Sequence, residues 1–292
     1  MELSRVLQGV PVITDVPADL LTSEVRGLAY DSRKVEPGYL FFAFAGARAD
    51  GAQFASAALQ KGGFAVISDR PAPGGFHGAW LQVPHGRQAL ASASRNFFER
   101  PDERIALTAV TGTNGKTTST QLVDAILRAA GKTTALIGTI EYHLAGRVLP
   151  AVNTTPESLD LFALMHDLEQ AGGTHFTLEA SSHALDLGRI YGVNVHAAGW
   201  TNLTRDHLDY HETMEAYFAA KQLLFTPRSG PPPRFAVLNA ADEGARQLRI
   251  APETRVLWYG EDDVPRHRDS DIRLFAENIK SDFQSLQFTV SA

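Results

Sequence analysis

Residues 109–120 read AVTGTNGKTTST. Glycines let a backbone turn its N–H groups toward an anion, a lysine can reach terminal phosphates, and a threonine hydroxyl beside it can face a divalent cation. The usual spacing of such a loop, G-x-x-x-x-G-K-[ST], ends here on Gly115, Lys116 and Thr117 but calls for glycine at position 110, where the chain has Val110. The nearest earlier glycine is Gly112, so the loop is two residues short. The chemistry survives the shortening, because Gly112 and Gly115 still free the backbone around Thr113 and Asn114. A threonine-rich turn capping a helix would use the same residue types. The order of the flanking elements favours a nucleotide: a β-type run, IALTAV (105–110), precedes the loop. Leu122, Ala125, Ile126 and Ala129 follow at helical spacing, Gly131 stops that helix, and TALIG reads as the next strand.

Other candidates lie downstream. Glu179 ends the strand FTLEA, and open α/β sheets bind ligands beyond the carboxyl ends of their strands. Position alone leaves a Mg²⁺ ligand and a surface acid opening a turn equally open. Ser181, Ser182 and His183 follow; they suit anionic substrate groups, while helix capping is the alternative for the serines, above all for Ser182. Arg189 is the cation best placed for a carboxylate or phosphate. TRDHLDYH (204–211) gathers Asp206, His207 and Asp209, either a metal or nucleotide edge or a polar loop with an N-cap. Read as a helix, residues 214–225 align Met214, Tyr217, Phe218, Leu224 and Phe225 on one face, and Lys221 falls inside that stripe. A lysine so placed usually snorkels to water, but burial would lower its pKa and leave a neutral amine able to take up CO₂ as a carbamate. Asn153, Thr154 and Thr155 before Pro156 suit a polar substrate or a plain turn.

These residues need a scaffold. Strand, glycine loop, helix, strand is the βαβ order of a parallel sheet. Further strands are expected at FTLEA (176–180), AGWTNL (198–203), FAVLN (235–239) and RVLWYG (255–260). Upstream, a turn at Pro37-Gly38 leads into a buried strand, Leu40 to Phe44, then a helix from Gln53 to Lys61 and the strand FAVIS. ALASASRNFFERPDE reads as a helix followed by a break at Pro101. The expected fold class is therefore α/β: a small N-terminal α/β domain, residues 1–101, and a central P-loop-type domain, residues 102–292. The central domain is expected to be an open, mostly parallel sheet with helices on both faces.

Composition sets limits. A net charge of -6 speaks against a nucleic-acid surface, and the lack of cysteine excludes disulfides and thiolate metal sites. No stretch approaches the ~20 apolar residues of a membrane helix, and MELSRVLQGVPVITD has no signal core. A cytoplasmic monomer is expected, with no nucleic-acid or membrane partner.

The run TGTNGKTT resembles the ATP loop of the Mur ligases, the amide-forming enzymes of peptidoglycan precursor synthesis, whose version of the loop is the shortened one. DSR with PGYLFFAFAG, NTTPE, EASSHAL with GRI, and TNLTRDHLDYHETMEAYFAAK match in order, and together they look most like the MurE type. The resemblance implies ATP and Mg²⁺ as cofactors. It also implies UDP-N-acetylmuramoyl-L-alanyl-D-glutamate and a free amino acid, meso-diaminopimelate or L-lysine, as partners. It makes Gly112, Thr113, Asn114, Gly115, Lys116, Thr117 and Thr118 the ATP contacts. Tyr30, Ser32, the Ala47-Arg48-Ala49 turn, Asn153, Thr154, Thr155, Ser181 and Arg189 become substrate contacts. Thr117, Glu179, His207 and a carbamylated Lys221 become metal ligands, with Lys116, Lys221 and His207 catalytic. Some members have glutamine where this chain has Leu187. The family has three domains; the end of the central one and all of the third are expected to lie outside these residues, leaving this chain alone inactive. A MurF-type ligase, folylpolyglutamate synthase, cyanophycin synthetase or a non-catalytic nucleotide-binding module are the rival readings.

Overall fold

A computed structural model describes residues 1–46, 50–261, 271–281 and 286–291. The chain forms two compact units. The first holds Met1–Pro101, Glu157–His166 and Gly188–Tyr191; the second holds Asp102–Pro156, Asp167–Leu187 and Gly192–Ala292.

The first unit comprises helices α1 (Leu3–Val6), α2 (Ala18–Leu21), α3 (Ala55–Gln60) and α4 (Gly86–Phe97) with strands β1 (Gly27–Ala29), β2 (Tyr39–Ala43), β3 (Ala65–Ser68) and β4 (Ala79–Gln82). The strands pair in that order, all parallel. A parallel sheet is covered on both faces, so its strands read as unbroken apolar runs. Side-chain alternation in β2 then divides the core. Leu40 and Phe42 point into one cluster with Leu3, Ile67 and Leu90, whereas Phe41 and Ala43 join Val66 and Ala58 in another. The helix expected from Gln53 starts later. Asp50 accepts from Ala52 N (3.0 Å) and holds Gly51–Phe54 in a 3₁₀ turn, so α3 begins at Ala55.

The second unit carries, in chain order, β5 (Ala106–Thr111), α5 (Lys116–Ala129), β6 (Thr134–Ile137), β7 (Glu141–Leu144) and β8 (Arg147–Pro150). The helix α6 (Ser158–Gln170), which belongs to the first unit through His166, leads to β9 (His175–Glu179), α7 (Ser182–Asp186), β10 (Ala197–Trp200), α8 (Leu208–His211) and α9 (Met214–Gln222). Then come β11 (Phe235–Asn239), α10 (Glu243–Gln247), β12 (Arg255–Glu261), β13 (Ile272–Ser281) and β14 (Leu286–Ser291). Among the described residues the sheet order is β14-β13-β12-β11-β10-β5-β9-β6-β7-β8. Pairing is parallel from β13 through β6 and antiparallel only for β14, β7 and β8 at the edges. The fold is α/β with a mostly parallel sheet. From β5 the chain travels one way to reach β6; from β9 it travels the other way to reach β10. Right-handed crossovers of opposite direction place their helices on opposite faces, and the reversal makes the carboxyl ends of β5 and β9 a topological switch point.

Two further elements stop short of their expected ends, and α5 is turned in a way its spacing does not disclose. The apolar spacing in α5 does not face the sheet: Leu122 and Ile126 are 59% and 68% exposed, while Thr120 and Asp124 are buried. A paired polar network fixes that rotation, since buried Asp124 accepts from Thr134 Oγ1 (2.6 Å) and pairs with Arg128 (2.8 Å). The helix expected over 214–225 ends at Gln222, and the buried Leu224 and Phe225 follow in a turn. The strand expected over 198–203 ends at Trp200, because Thr201 and Asn202 turn their side chains to the glycine loop.

Candidate active site

The register of the sheet brings the glycine loop and Glu179 together. β5 and β9 are neighbours with Val110 opposite Glu179, and β10 flanks the other side with Trp200 opposite Thr111. The loop after β5 turns at Gly112 (φ +146°), where a Cβ would lie 1.9 Å from Thr201 Oγ1. It enters α5 through Gly115 in the left-handed region (φ +84°), with no side chain capping that end. This is the backbone economy of an anion-binding loop: free N–H groups at a helix start.

The loop is clamped from β10. Thr113 N donates to Asn202 O (2.8 Å) and Asn114 N to Asn202 Oδ1 (3.0 Å). Thr201 Oγ1 and Asn202 Nδ2 both donate to Asn114 O (2.6 and 3.1 Å). Thr113 Oγ1 lies 3.2 Å from the hydroxyl of buried Tyr217. Lys116 folds back, its Nζ donating to the carbonyls of Gly112 (3.0 Å) and Thr113 (2.9 Å). Burial lowers its pKa, opposed by the charge of Glu179. Thr118 is exposed on the first turn of α5.

Glu179 is 1% exposed yet fully hydrogen bonded. Its Oε2 accepts from Thr117 Oγ1 (3.0 Å) and Thr139 Oγ1 (3.0 Å), and its Oε1 from Thr139 N (2.9 Å). Gly138 leaves the room: a Cβ there would sit 2.2 Å from Oε1. A carboxylate among hydroxyls is a hard-oxygen set of the kind Mg²⁺ takes alongside phosphates and water. The histidine of the expected metal set comes from another loop. His207, with left-handed backbone (φ 52°), stacks edge-on to His183 (5.0 Å) and Tyr217 (6.0 Å) and stands 3.5 Å from Asp206. Among the described residues no three His, Asp or Glu side chains converge as metal ligands do.

Lys221 is 1% exposed and does not snorkel. Its Nζ donates to Gly112 O (2.8 Å) and sits 4.4 Å over the Tyr217 ring. Burial, reinforced by the charge of Lys116, pushes its pKa down to about 7. Both lysines thus meet at one carbonyl of the phosphate loop.

The polar residues around β9 are largely committed. Thr155 is buried, its hydroxyl donating to Glu179 O (2.7 Å) and accepting from Ser181 N (3.1 Å). Thr154 reaches Thr139 (Oγ1···Oγ1 3.2 Å), and the backbone of Asn153 is held by the Tyr142 hydroxyl. The cap of α7 is Ser181, which accepts from Ala184 N (3.2 Å), rather than Ser182. Ser182 instead bonds His211 Nε2 (2.9 Å), whose pKa is lowered by burial and then by His183. Leu187 ends α7 as its C-cap.

In the first unit Tyr30 and Ser32 line a cleft of about 730 Å³ with Arg33, Phe44, Arg87 and Glu157. The Tyr30 hydroxyl donates to Asp160 (2.5 Å), and burial followed by that carboxylate raises its pKa. Arg189 pairs with Glu157 (3.3 Å), and Arg87 takes the other oxygen of the same carboxylate. Ala47, Arg48 and Ala49 lie outside the described residues. Arg87, Glu157, Thr139 and Tyr217 were not singled out by sequence reasoning as site residues. Arg87 carries no local signature at the start of α4, and Glu157, the last residue of NTTPE, stands 70 positions away.

Comparison with known proteins agrees with this geometry. Residues 110–291 match the Mur ligase middle domain, and residues 24–98 match the Mur ligase family, catalytic domain. A Solibacter usitatus protein named UDP-N-acetylmuramoyl-L-alanyl-D-glutamate--2,6-diaminopimelate ligase is 56% identical over 296 residues, covering 100% of this chain and 60% of the relative. A Geobacter sulfurreducens protein of the same name is 41% identical over 268 residues, covering 89% of this chain and 51% of the relative. A solved structure of a ligase with that name superposes with a TM-score of 0.84 at 29% identity, over 99% of this chain and 57% of the other. The chain thus spans between half and two thirds of the length of these proteins. Among the described residues no helix is long and apolar enough to cross a membrane. With both domain models matched in order and the shortened phosphate loop in place, the chain belongs to the Mur ligase family.

Proposed function

We propose that this chain is the UDP-substrate and ATP-binding region of a MurE-type ligase. The ligase adds 2,6-diaminopimelate, the amino acid named in its relatives, to UDP-N-acetylmuramoyl-L-alanyl-D-glutamate. The observation that carries this reading is the junction of β5 and β9, where Thr117 of the short glycine loop bonds Glu179 (3.0 Å) and buried Lys221 bonds Gly112 O (2.8 Å).

In the proposed reaction a glutamate carboxylate oxygen attacks the γ-phosphorus of ATP, releasing ADP and leaving an acyl phosphate. The amine of the incoming amino acid then attacks the acyl carbon; phosphate leaves, and the nitrogen gives up a proton. Phosphoryl transfer of this kind needs positioning and charge neutralisation above all. The loop from Gly112 to Thr118 would hold the phosphates, through those of its N–H groups that Asn202 does not engage. Lys116 would swing from its two carbonyls onto them. Thr117, Glu179 and Lys221 as a carbamate would hold Mg²⁺, with His207 as a further ligand; bound there, the ion would neutralise phosphate charge. A neutral buried amine is the form that takes up CO₂, and a pKa near 7 makes it accessible. Tyr30, Ser32 and residues 47–49 would take the uridine end in a substrate-recognition domain, residues 1–101, and residues 102–292 would be the ATP-binding domain. Asn153, Thr154, Thr155, Ser181 and Arg189 would face the muramoyl-peptide.

The test is the carbamate. In the full-length enzyme, ¹³CO₂ should give a carbamate NMR signal that Lys221→Ala removes together with most activity. Short carboxylates should restore part of that activity. Lys221→Arg should fail, because guanidinium stays protonated. Full activity in Lys221→Arg would refute the role given to this lysine.

A further inference from the structure

The cleft of the first unit holds two arginines in different states. Arg33 lies at the rim, 86% exposed, its Nε and Nη2 already spent on the Asp31 carboxylate (2.9 and 2.8 Å). Arg87 is only 13% exposed. Its Nη1 donates to Glu157, and the guanidinium lies 4.7 Å over the Phe44 ring, which in turn stacks on Tyr30 (6.4 Å, 19°). Glu157 is itself buried and gives its second oxygen to Arg189. One carboxylate therefore pairs with two guanidinium groups, and the one it hydrogen bonds, Arg87, lines a cavity of about 730 Å³. That size falls within the roughly 300–1,000 Å³ typical of small-molecule sites.

We infer that Arg87 is a substrate-contact residue of this cleft, donating to the diphosphate of a nucleoside-diphosphate substrate, and that Glu157 is the positioning residue that sets its plane. The inference rests on the reading of the first unit as the uridine-binding domain. A guanidinium carries five donors in a rigid fork that matches phosphate oxygens, and Glu157 occupies one edge of it. The stack on Phe44 fixes the plane, so little freedom is lost when an anion arrives. Charge excess is not the attraction. With Glu157 and the Asp160 carboxylate that accepts from Tyr30 counted, two positive and two negative groups balance. The cluster is stable without ligand and recruits through oriented donors. Because Arg87 is shielded from water, each contact it makes to phosphate is stronger than one made by exposed Arg33.

The experiment is titration of the 1–292 protein with uridine and with uridine diphosphate, for the unchanged chain and for Arg87→Met and Arg87→Lys. The unchanged chain should prefer the diphosphate. Arg87→Met should lose roughly 10- to 100-fold in affinity for the diphosphate, the loss of one or two charged hydrogen bonds, while uridine binding holds. Arg87→Lys keeps charge without the fork and should fall between; it also carries the test if the methionine variant does not fold. A folded variant that keeps the full preference for the diphosphate overturns the role of Arg87. Failure of the unchanged chain to bind either ligand would instead remove the uridine reading of the first unit, and the inference with it.

Discussion

On the readings proposed above, two regions of this chain meet phosphate, and they differ in their materials. The loop after β5 uses backbone. Its donors are N–H groups at the start of α5, its shape depends on Gly112 and Gly115, and its cation is a lysine held on two carbonyls. The cleft of the first unit uses side chains: a guanidinium fixed by a carboxylate and an aromatic face. Backbone donors at a helix start suit an anion that must be held while it reacts, because the lysine can move with the charge. A locked guanidinium suits an anion that is only recognised. The contrast also has a protonation side. The loop region's cations are lysines, which titrate when buried, whereas the cleft's are arginines, which do not.

The largest expected effect tests the loop alone. Lys116→Ala should abolish Mg-ATP binding by calorimetry, a loss of at least roughly 100-fold, since no other cation lies within the loop itself. The same variant should bind uridine diphosphate unchanged. Near-native ATP affinity would sink the loop assignment; a parallel loss of uridine diphosphate would sink the separation of the two regions.

Acidity should divide the regions next. Unfolded Lys221 holds its proton up to its ordinary value of 10.5, but the folded chain releases it at about 7. Between those values the unfolded chain binds more protons, so stability rises with pH, at up to ~1.4 kcal/mol per pH unit from this one group. In CO₂-free buffer, chemical denaturation from pH 7 to 9 should show that rise, and Lys221→Met should flatten it. Diphosphate binding in the first unit should stay level over the same range, because phosphate and guanidinium keep their charges there. An equal slope in both proteins would mean that Lys221 is not the titrating group.

Much of this contrast follows from what sequence can display. The loop was legible because Gly112, Gly115, Lys116 and Thr117 are contiguous and their flanking elements obey the βαβ order. Glu179 was legible as the last residue of an apolar strand. Lys221 was legible as a misfit in a helical stripe, although without family resemblance solvent exposure was the better reading. The cleft was not legible in the same way. Arg87 looks like any charged residue near a helix start, and its value comes from Glu157 across 70 positions. The rotation of α5 was not legible for a related reason: apolar spacing at Leu122 and Ile126 is local, while the bond from Thr134 to Asp124 that sets the facing side is tertiary. The clamp by Thr201 and Asn202 was hidden because those residues read as the continuation of a strand.

Gly138 offers a smaller effect on the loop side. A methyl group there would meet Glu179 Oε1 at 2.2 Å and displace the carboxylate from Thr117 and Thr139. Gly138→Ala should cost about 1–3 kcal/mol of stability, as expected when buried hydrogen bonds are broken by overpacking. It should also weaken Mg-ATP binding more than metal-free ATP binding. Equal weakening of both would place Glu179 in a purely structural role.

The smallest expected effect separates the two arginines of the cleft. Arg33 holds Asp31 through two good hydrogen bonds and, first through them, lowers the Asp31 pKa to about 2. By bond count alone it would seem the stronger group. Yet its side chain is 86% exposed, and an exposed pair is screened by water and must give up side-chain freedom to form. Arg33→Ala should therefore leave the denaturation midpoint at pH 7 nearly unchanged. Asp31 also accepts from Arg33 N (3.0 Å), a backbone bond that alanine keeps, so the turn should persist. Diphosphate affinity should change far less than in Arg87→Met. If Arg33→Ala instead lost as much diphosphate affinity as Arg87→Met, burial would not be what distinguishes the two guanidiniums, and the cleft would recognise its anion through charge at the rim.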